Sequence, residues 1–198
     1  MLGSEPEMEE YEGLKWKTEE RELLLHTPVF DVYRQHELSA TGLEGDYVGI
    51  AAPDWVVVVA VHGSNFLLVR QWRHGEENLT LEFPGGVADP GETPEQTALR
   101  ELEEETGYRA GRVTFLGRVS SNTALFKNHF SVFLAEELMD TGMQHPDPDE
   151  LIQYEELPIE TVLRRYGDSE LTHAYMGTAL AFYLRHTLLQ KQDPANET

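Results

Sequence analysis

Apolar and polar positions along the chain fall into two rhythms. Residues 55–61, Trp-Val-Val-Val-Val-Ala-Val, form a nearly continuous apolar run. A run of that length rich in Val predicts a strand buried on both faces. His62-Gly63-Ser64-Asn65 turns the chain, and residues 66–72 return as a hairpin partner. Further strands are predicted at 79–83, 113–120, 130–135 and 152–157. Upstream, short strands at 23–25 and 29–34 are separated by Thr27-Pro28, and another near 47–51 follows the turn residues 41–46. The second rhythm is helical, over 93–107, 160–166 and 171–190. The last of these carries Met176, Leu180, Leu184 and Leu188 on one predicted apolar stripe. Glu-rich residues 1–13 read as disordered and 140–150 as a mobile acidic loop. Residues 121–128 read as a polar loop facing a ligand. Strands mixed with helices on both sides predict an α/β sandwich.

Residues 86–108 hold the densest chemistry. Thr93 precedes Pro94, and Gln96 follows three residues later, the pattern of a capping box with proline at the first helical position. Ala98 and Leu102 lie four apart and predict a core-facing stripe, while Gly107 supplies the stop. The resulting helix has roughly three to four turns. Glu101, Glu104 and Glu105 then share one face, being three and four residues apart. Like charges at those spacings are destabilising, so a cation is expected against them. A carboxylate set without Cys or His suits a hard ion such as Mg²⁺ or Mn²⁺.

Composition narrows the partners. The chain has 198 residues, 40% of them hydrophobic, enough for one substantial core. With no Cys, disulfides, thiolate catalysis and cysteine-ligated zinc are excluded. The net charge of −21 argues against nucleic acid as a partner. It would also repel a phosphate substrate, unless divalent metal and a few placed arginines reverse the field locally. No apolar run reaches membrane-spanning length, so no membrane partner is expected. The N-terminus lacks the basic and apolar regions of a signal peptide, and a cytoplasmic location is the expectation.

Gly86, five residues, Glu92, seven residues, then Arg100-Glu101-Leu102-x-Glu104-Glu105-x-Gly107-Tyr108 resembles the complete box of the Nudix hydrolases. The resemblance implies an α/β/α sandwich with a mixed sheet and an N-terminal β extension. It places an N-terminal tail and strand extension at 1–52 and the catalytic domain at 53–198. It implies that Glu101 and Glu105 bind metal directly, that Glu104 assists, and that the backbone carbonyl of Gly85 completes the site. Glu92 and Arg100 would orient the carboxylates, with Gly86, Glu92 and Gly107 as structural members of the box. A late loop glutamate serves many relatives as general base, which here points to Glu150, with Asp147 and Asp149 as rivals.

Gln71-Trp72-Arg73 and Leu81-Glu82-Phe83-Pro84-Gly85-Gly86 are similar to the region before the box in ADP-ribose and ADP-sugar pyrophosphatases. This implies a phosphate contact for Arg73, and for Glu82 a contact to substrate or to a neighbouring arginine. Trp16, between Lys15 and Lys17, resembles an aromatic that stacks on the base, with Tyr47 as a second such aromatic. The same resemblance implies a homodimer formed through the N-terminal segment. The expected activity is metal-dependent hydrolysis of a nucleoside diphosphate sugar to a nucleoside monophosphate and a sugar phosphate. Those relatives carry a proline beyond the box where this chain has Ser121-Asn122-Thr123, a departure that counts against ADP-ribose itself and leaves ADP-sugars, GDP-mannose or another nucleotide sugar open. The alternatives are a pyrophosphohydrolase of nucleoside triphosphates or capped RNA, and a non-catalytic nucleotide-sugar-binding module.

Overall fold

A computed structural model describes residues 8–146 and 150–192. The chain separates into two units. One comprises the residues up to Pro53 together with Ser120–Asn128, and the other comprises Asp54–Val119 and the described residues from His129 onward.

In the first unit, a 3₁₀ turn over Met8–Leu14 stands where disorder is predicted. Residues 1–7 lie outside the described residues. Three antiparallel strands follow in the order β1 (Trp16–His26), β2 (Asp31–Ser39) and β3 (Glu44–Ala51). The strand predicted at 23–25 is the end of a much longer one. The break at Thr27-Pro28 is real: Thr27 caps the turn, its hydroxyl accepting from the Phe30 amide at 2.9 Å. Residues 121–128 are drawn onto β3, where the Ile50 amide donates to the Leu125 carbonyl at 2.8 Å and the Lys127 amide to the Ile50 carbonyl at 2.9 Å.

The second unit is built on β4 (Trp55–His62), β5 (Asn65–Arg73), β6 (Asn78–Glu82), β7 (Tyr108–Ser120), β8 (His129–Asp140) and β9 (Gln153–Pro158). Strand order is β6-β5-β4-β8-β7, with β9 on β5. β4 and β8 run parallel, whereas β5 is antiparallel to β4, β6 and β9, so the sheet is mixed. The helices are α1 (Pro94–Thr106), α2 (Ile159–Arg165) and α3 (Ala174–Lys191).

Alternation along β4 explains its continuous hydrophobicity. Val56, Val58 and Ala60 pack with Ala98 and Leu102 of α1 on one face. Val57 and Val59 pack with Val162 of α2 and Met176, Ala179 and Leu180 of α3 on the other. A helix layer on each side is the expected α/β/α arrangement. The stripe predicted on α3 is buried only in its first half. Met176 and Leu180 are buried, but Leu184 and Leu188 are exposed. Leu171, predicted to begin that helix, instead lies fully buried in the turn before it.

The segment predicted as mobile after β8 is tied down in its described part. The Thr141 amide donates to the Gly107 carbonyl at 2.8 Å, and the His145 amide to the Glu104 carbonyl at 2.9 Å. The Gln144 side-chain amide donates to the Glu105 carbonyl. These donors satisfy carbonyls that the end of α1 would otherwise leave without partners.

Candidate active site

The loop between β6 and α1 is placed by β4. β5 pairs with β4 only over residues 60–62, and beyond that point the loop continues the ladder. The Val56 amide donates to the Gly86 carbonyl at 2.9 Å and the Val58 amide to the Pro84 carbonyl at 2.8 Å. Such close backbone approach requires glycine: a Cβ on Gly85 would lie 2.2 Å from the Val56 carbonyl oxygen. A Cβ on Gly86 would lie 2.2 Å from Glu101 Oε1.

The capping box forms as predicted. The Gln96 amide donates to Thr93 Oγ1 at 3.3 Å, and the Thr93 amide to Gln96 Oε1 at 2.8 Å. At the other end Gly107 is left-handed, φ 74°, and its amide donates to the Glu103 carbonyl. Ala98 and Leu102 anchor the helix by burial. That packing also turns Glu101 and Glu105 inward, leaving them only 8% and 2% exposed.

Arg73, Gly85, Gly86, Arg100, Glu101, Glu104, Glu105 and Glu150 line one cavity of about 280 Å³. Arg100 lies against the glutamate face. Its Nη1 donates to Glu101 Oε1 at 3.0 Å and to Glu104 Oε2 at 2.8 Å. Its Nε and Nη2 hold Glu92 at 3.0 and 3.1 Å, and Nη2 also donates to the Val87 carbonyl. Glu92 in turn accepts from the Asp89 amide and the Thr97 hydroxyl, stitching loop to helix. The Arg100 bonds, foremost, hold the Glu92 carboxyl at about 2.

One arginine does not neutralise this cluster. Burial above all, with Glu104 and Glu150 adding to it and Arg100 opposing, pushes Glu101 up to about 7. Burial raises Glu105 well above the usual carboxylate range, even though its Oε2 accepts from the Gly85 amide at 2.9 Å. Charge from Glu101 and Glu150 adds to that rise. Among the described residues, no three acidic or histidine side chains already converge as a closed metal site. Arg100 holds Glu101 and Glu104, and the Gly85 amide holds Glu105. The cluster nevertheless fits a divalent cation. It is an oxygen-only donor set with two buried carboxylates short of positive charge, lining one cavity.

Arg73 meets the cavity from β5. Glu82 is nearly fully buried and grips the guanidinium with both oxygens, accepting from Nε at 2.9 Å and from Nη2 at 2.7 Å. Of its two expected contacts, then, Glu82 makes the one to arginine. Burial works against the Arg73 charge, but the Glu82 bonds and charge outweigh it and raise its pKa. In the strand extension the rings of Trp16 and Tyr47 meet edge to face at 5.5 Å. Asp147 and Asp149 lie outside the described residues. Gln71 and Trp55 also line the cavity and were missed. Gln71 was legible, standing two residues from Arg73 on the same strand face. Trp55 gave no signal beyond its place in an apolar run.

The mixed sheet between helix layers, with a carboxylate cavity where a glycine loop enters a capped helix, defines a hydrolase of the Nudix type. The NUDIX domain matches residues 52–176, and the chain belongs to that family. Over 182 residues it is 31% identical to an ADP-ribose pyrophosphatase of Bacillus subtilis (strain 168), spanning 91% of this chain and 98% of that protein. It is 29% identical over 133 residues to the ADP compounds hydrolase NudE of Escherichia coli (strain K12), covering 67% of this chain and 70% of that one. A methanol dehydrogenase activator of Bacillus methanolicus is 30% identical over 141 residues, 68% of this chain and 76% of its own. The fold is shared with a crystal structure of an ADP compounds hydrolase. The TM-score is 0.79 at 24% identity, covering 90% of this chain and 96% of the other.

Proposed function

We propose that this Nudix hydrolase cleaves the pyrophosphate bond of a nucleoside diphosphate sugar, of the ADP-ribose, ADP-sugar or GDP-mannose type, with Mg²⁺ or Mn²⁺ bound. The products are a nucleoside monophosphate and a sugar phosphate. The observation that carries this reading is the single cavity uniting Arg73 with Glu101, Glu104, Glu105 and Glu150. The substrate class draws support from relatives named for ADP-ribose and ADP compounds.

Glu101 and Glu105 would hold the cation, with Glu104 assisting and the Gly85 carbonyl completing the set. When bound, a divalent ion neutralises phosphate oxygens and lowers the pKa of water. Arg73, held in place by Glu82, binds a phosphate oxygen through charge-assisted hydrogen bonds. Arg100 orients Glu101 and Glu104. Glu150 takes the proton of the attacking water on its carboxylate, as oxygen bonds to phosphorus and the anhydride bond breaks. Trp16 and Tyr47, each about two-fifths exposed, stack on the base. The strand extension pairs two copies into a homodimer, and the protein acts in the cytoplasm. Light scattering giving only the monomer mass would refute the dimer.

The test compares ADP-ribose, GDP-mannose, dinucleoside polyphosphates and nucleoside triphosphates as substrates with Mg²⁺, products resolved by chromatography. A nucleoside monophosphate and a sugar phosphate are expected, with Glu105→Gln at least about 10²-fold slower. Inorganic pyrophosphate from triphosphates, with nucleotide sugars untouched, refutes the reading. So does a Glu105→Gln variant within a few-fold of wild type.

A further inference from the structure

The residues before α3 are fastened to the sheet near Arg73. The Leu81 amide donates to the Glu170 carbonyl at 2.9 Å, Leu171 is fully buried, and Tyr166 Oη donates to the His173 carbonyl at 3.3 Å. Glu170 also accepts from Arg70 Nη1 at 2.6 Å. These ties deliver His173 to the far side of Glu82. Its Nδ1 lies 3.9 Å from Glu82 Oε2, the same oxygen that accepts from Arg73 Nη2. Glu82 Oε1 is taken up by Arg73 Nε and by the Thr80 hydroxyl at 2.6 Å. The imidazole edge rests on Tyr175, centroids 5.0 Å apart, and that ring stacks on Phe130 at 4.1 Å. His173 caps α3 by position only, since its side chain makes no cap bond.

We propose that His173 is a positioning residue whose charge state sets how firmly Glu82 holds Arg73 for the phosphate. This deepens the functional reading above and rests on it. A neutral imidazole leaves Glu82 committed to one cation, Arg73. A protonated one offers the shared oxygen a second cation and repels the guanidinium. Two charged side chains, Glu82 from β6 and Arg73 from β5, face the ring, and His74 and Glu76 share its cavity of about 440 Å³. Burial, the larger influence, keeps His173 below its usual range although Glu82 opposes this. Protonation of the ring is thereby shifted toward acid.

The experiment sets wild type beside His173→Asn, which keeps a side-chain amide donor and never carries charge. KM for ADP-ribose with Mg²⁺ and the NMR signal of Arg73 Nε–H, assigned by its loss in Arg73→Lys, are followed from neutral pH into acid. In wild type, KM rises about three- to tenfold beyond any change in His173→Asn, the size expected for coupling within one charge network. The Nε–H signal shifts with the same midpoint, and in an Arg73→Ala background the His173 substitution adds nothing to KM. An equal rise of KM in His173→Asn overturns the proposal, as does an Nε–H signal unmoved while His173 titrates. If no nucleotide sugar is turned over, the functional reading fails, and the NMR titration still decides whether His173 controls Arg73.

Discussion

Replacing Gly86 by alanine tests the site geometry at its tightest point. The new Cβ would sit 2.2 Å from Glu101 Oε1 and 2.5 Å from its Cδ. Relief to an ordinary contact of about 3.5 Å moves the carboxylate by about 1.3 Å. Glu101 yields because its carboxylate ends a flexible side chain, and the shift strains its 3.0 Å bond from Arg100. A misplacement of that order at a reacting centre costs on the order of 10²-fold in rate, about 2.7 kcal/mol of transition-state stabilisation. Stability should hardly change, because a buried carboxylate short of positive charge gains water as it moves outward. Gly85→Ala makes the contrast. Its Cβ meets the Val56 carbonyl, main chain in the central strand, so overpacking should cost about 1–3 kcal/mol of stability. Steady-state kinetics on ADP-ribose with Mg²⁺ and denaturant unfolding read the two effects separately. A Gly86→Ala enzyme with kcat/KM within threefold of wild type refutes the argument, as does equal destabilisation by both substitutions.

Other outcomes follow from the same contacts. Glu101 is held near 7 in the folded chain against an ordinary 4.5, so without metal its contribution to stability is lost as pH rises through that window. Glu101→Gln should gain about 3 kcal/mol relative to wild type between those limits in chelator. A flat difference by denaturant titration counts against it. Leu102→Ala, fully buried between α1 and β4, should lose about 2–5 kcal/mol in denaturant unfolding. Thr93→Ala removes one reciprocal cap and should lose only about 1 kcal/mol. Arg100→Lys keeps the charge but not the fork that reaches Glu92, Glu101 and Glu104 together. It should lower kcat/KM at least tenfold by steady-state kinetics with metal saturating, and parity with wild type refutes the orienting role.

Much of the second unit could be read along the chain because its signals are local. Thr93, Pro94, Gln96 and Gly107 specify where α1 starts and stops, and the valines of β4 declare a strand covered on both sides. Elements whose order depends on distant partners were misread. Residues 140–150 look like any acidic, Pro- and Gly-containing loop, yet Thr141, Gln144 and His145 donate to the carbonyls ending α1. Leu184 and Leu188 keep perfect helical spacing but are exposed, while Phe182 and Tyr183 of the same helix are the residues that pack against the core. The strand β1 is almost wholly exposed, so it carries no burial pattern by which its length could be judged.

By itself the sequence determined the carboxylate face of α1, its caps and the two glycines before it. Helix periodicity and steric permission act over a few residues and need no knowledge of the rest of the chain. Only the tertiary structure decided that burial raises Glu101 and Glu105. It alone decided that Arg73 and His173 approach the same oxygen of Glu82. Burial, charge pairing and desolvation depend on which surfaces meet, and residues a hundred positions apart meet only once the sheet has formed.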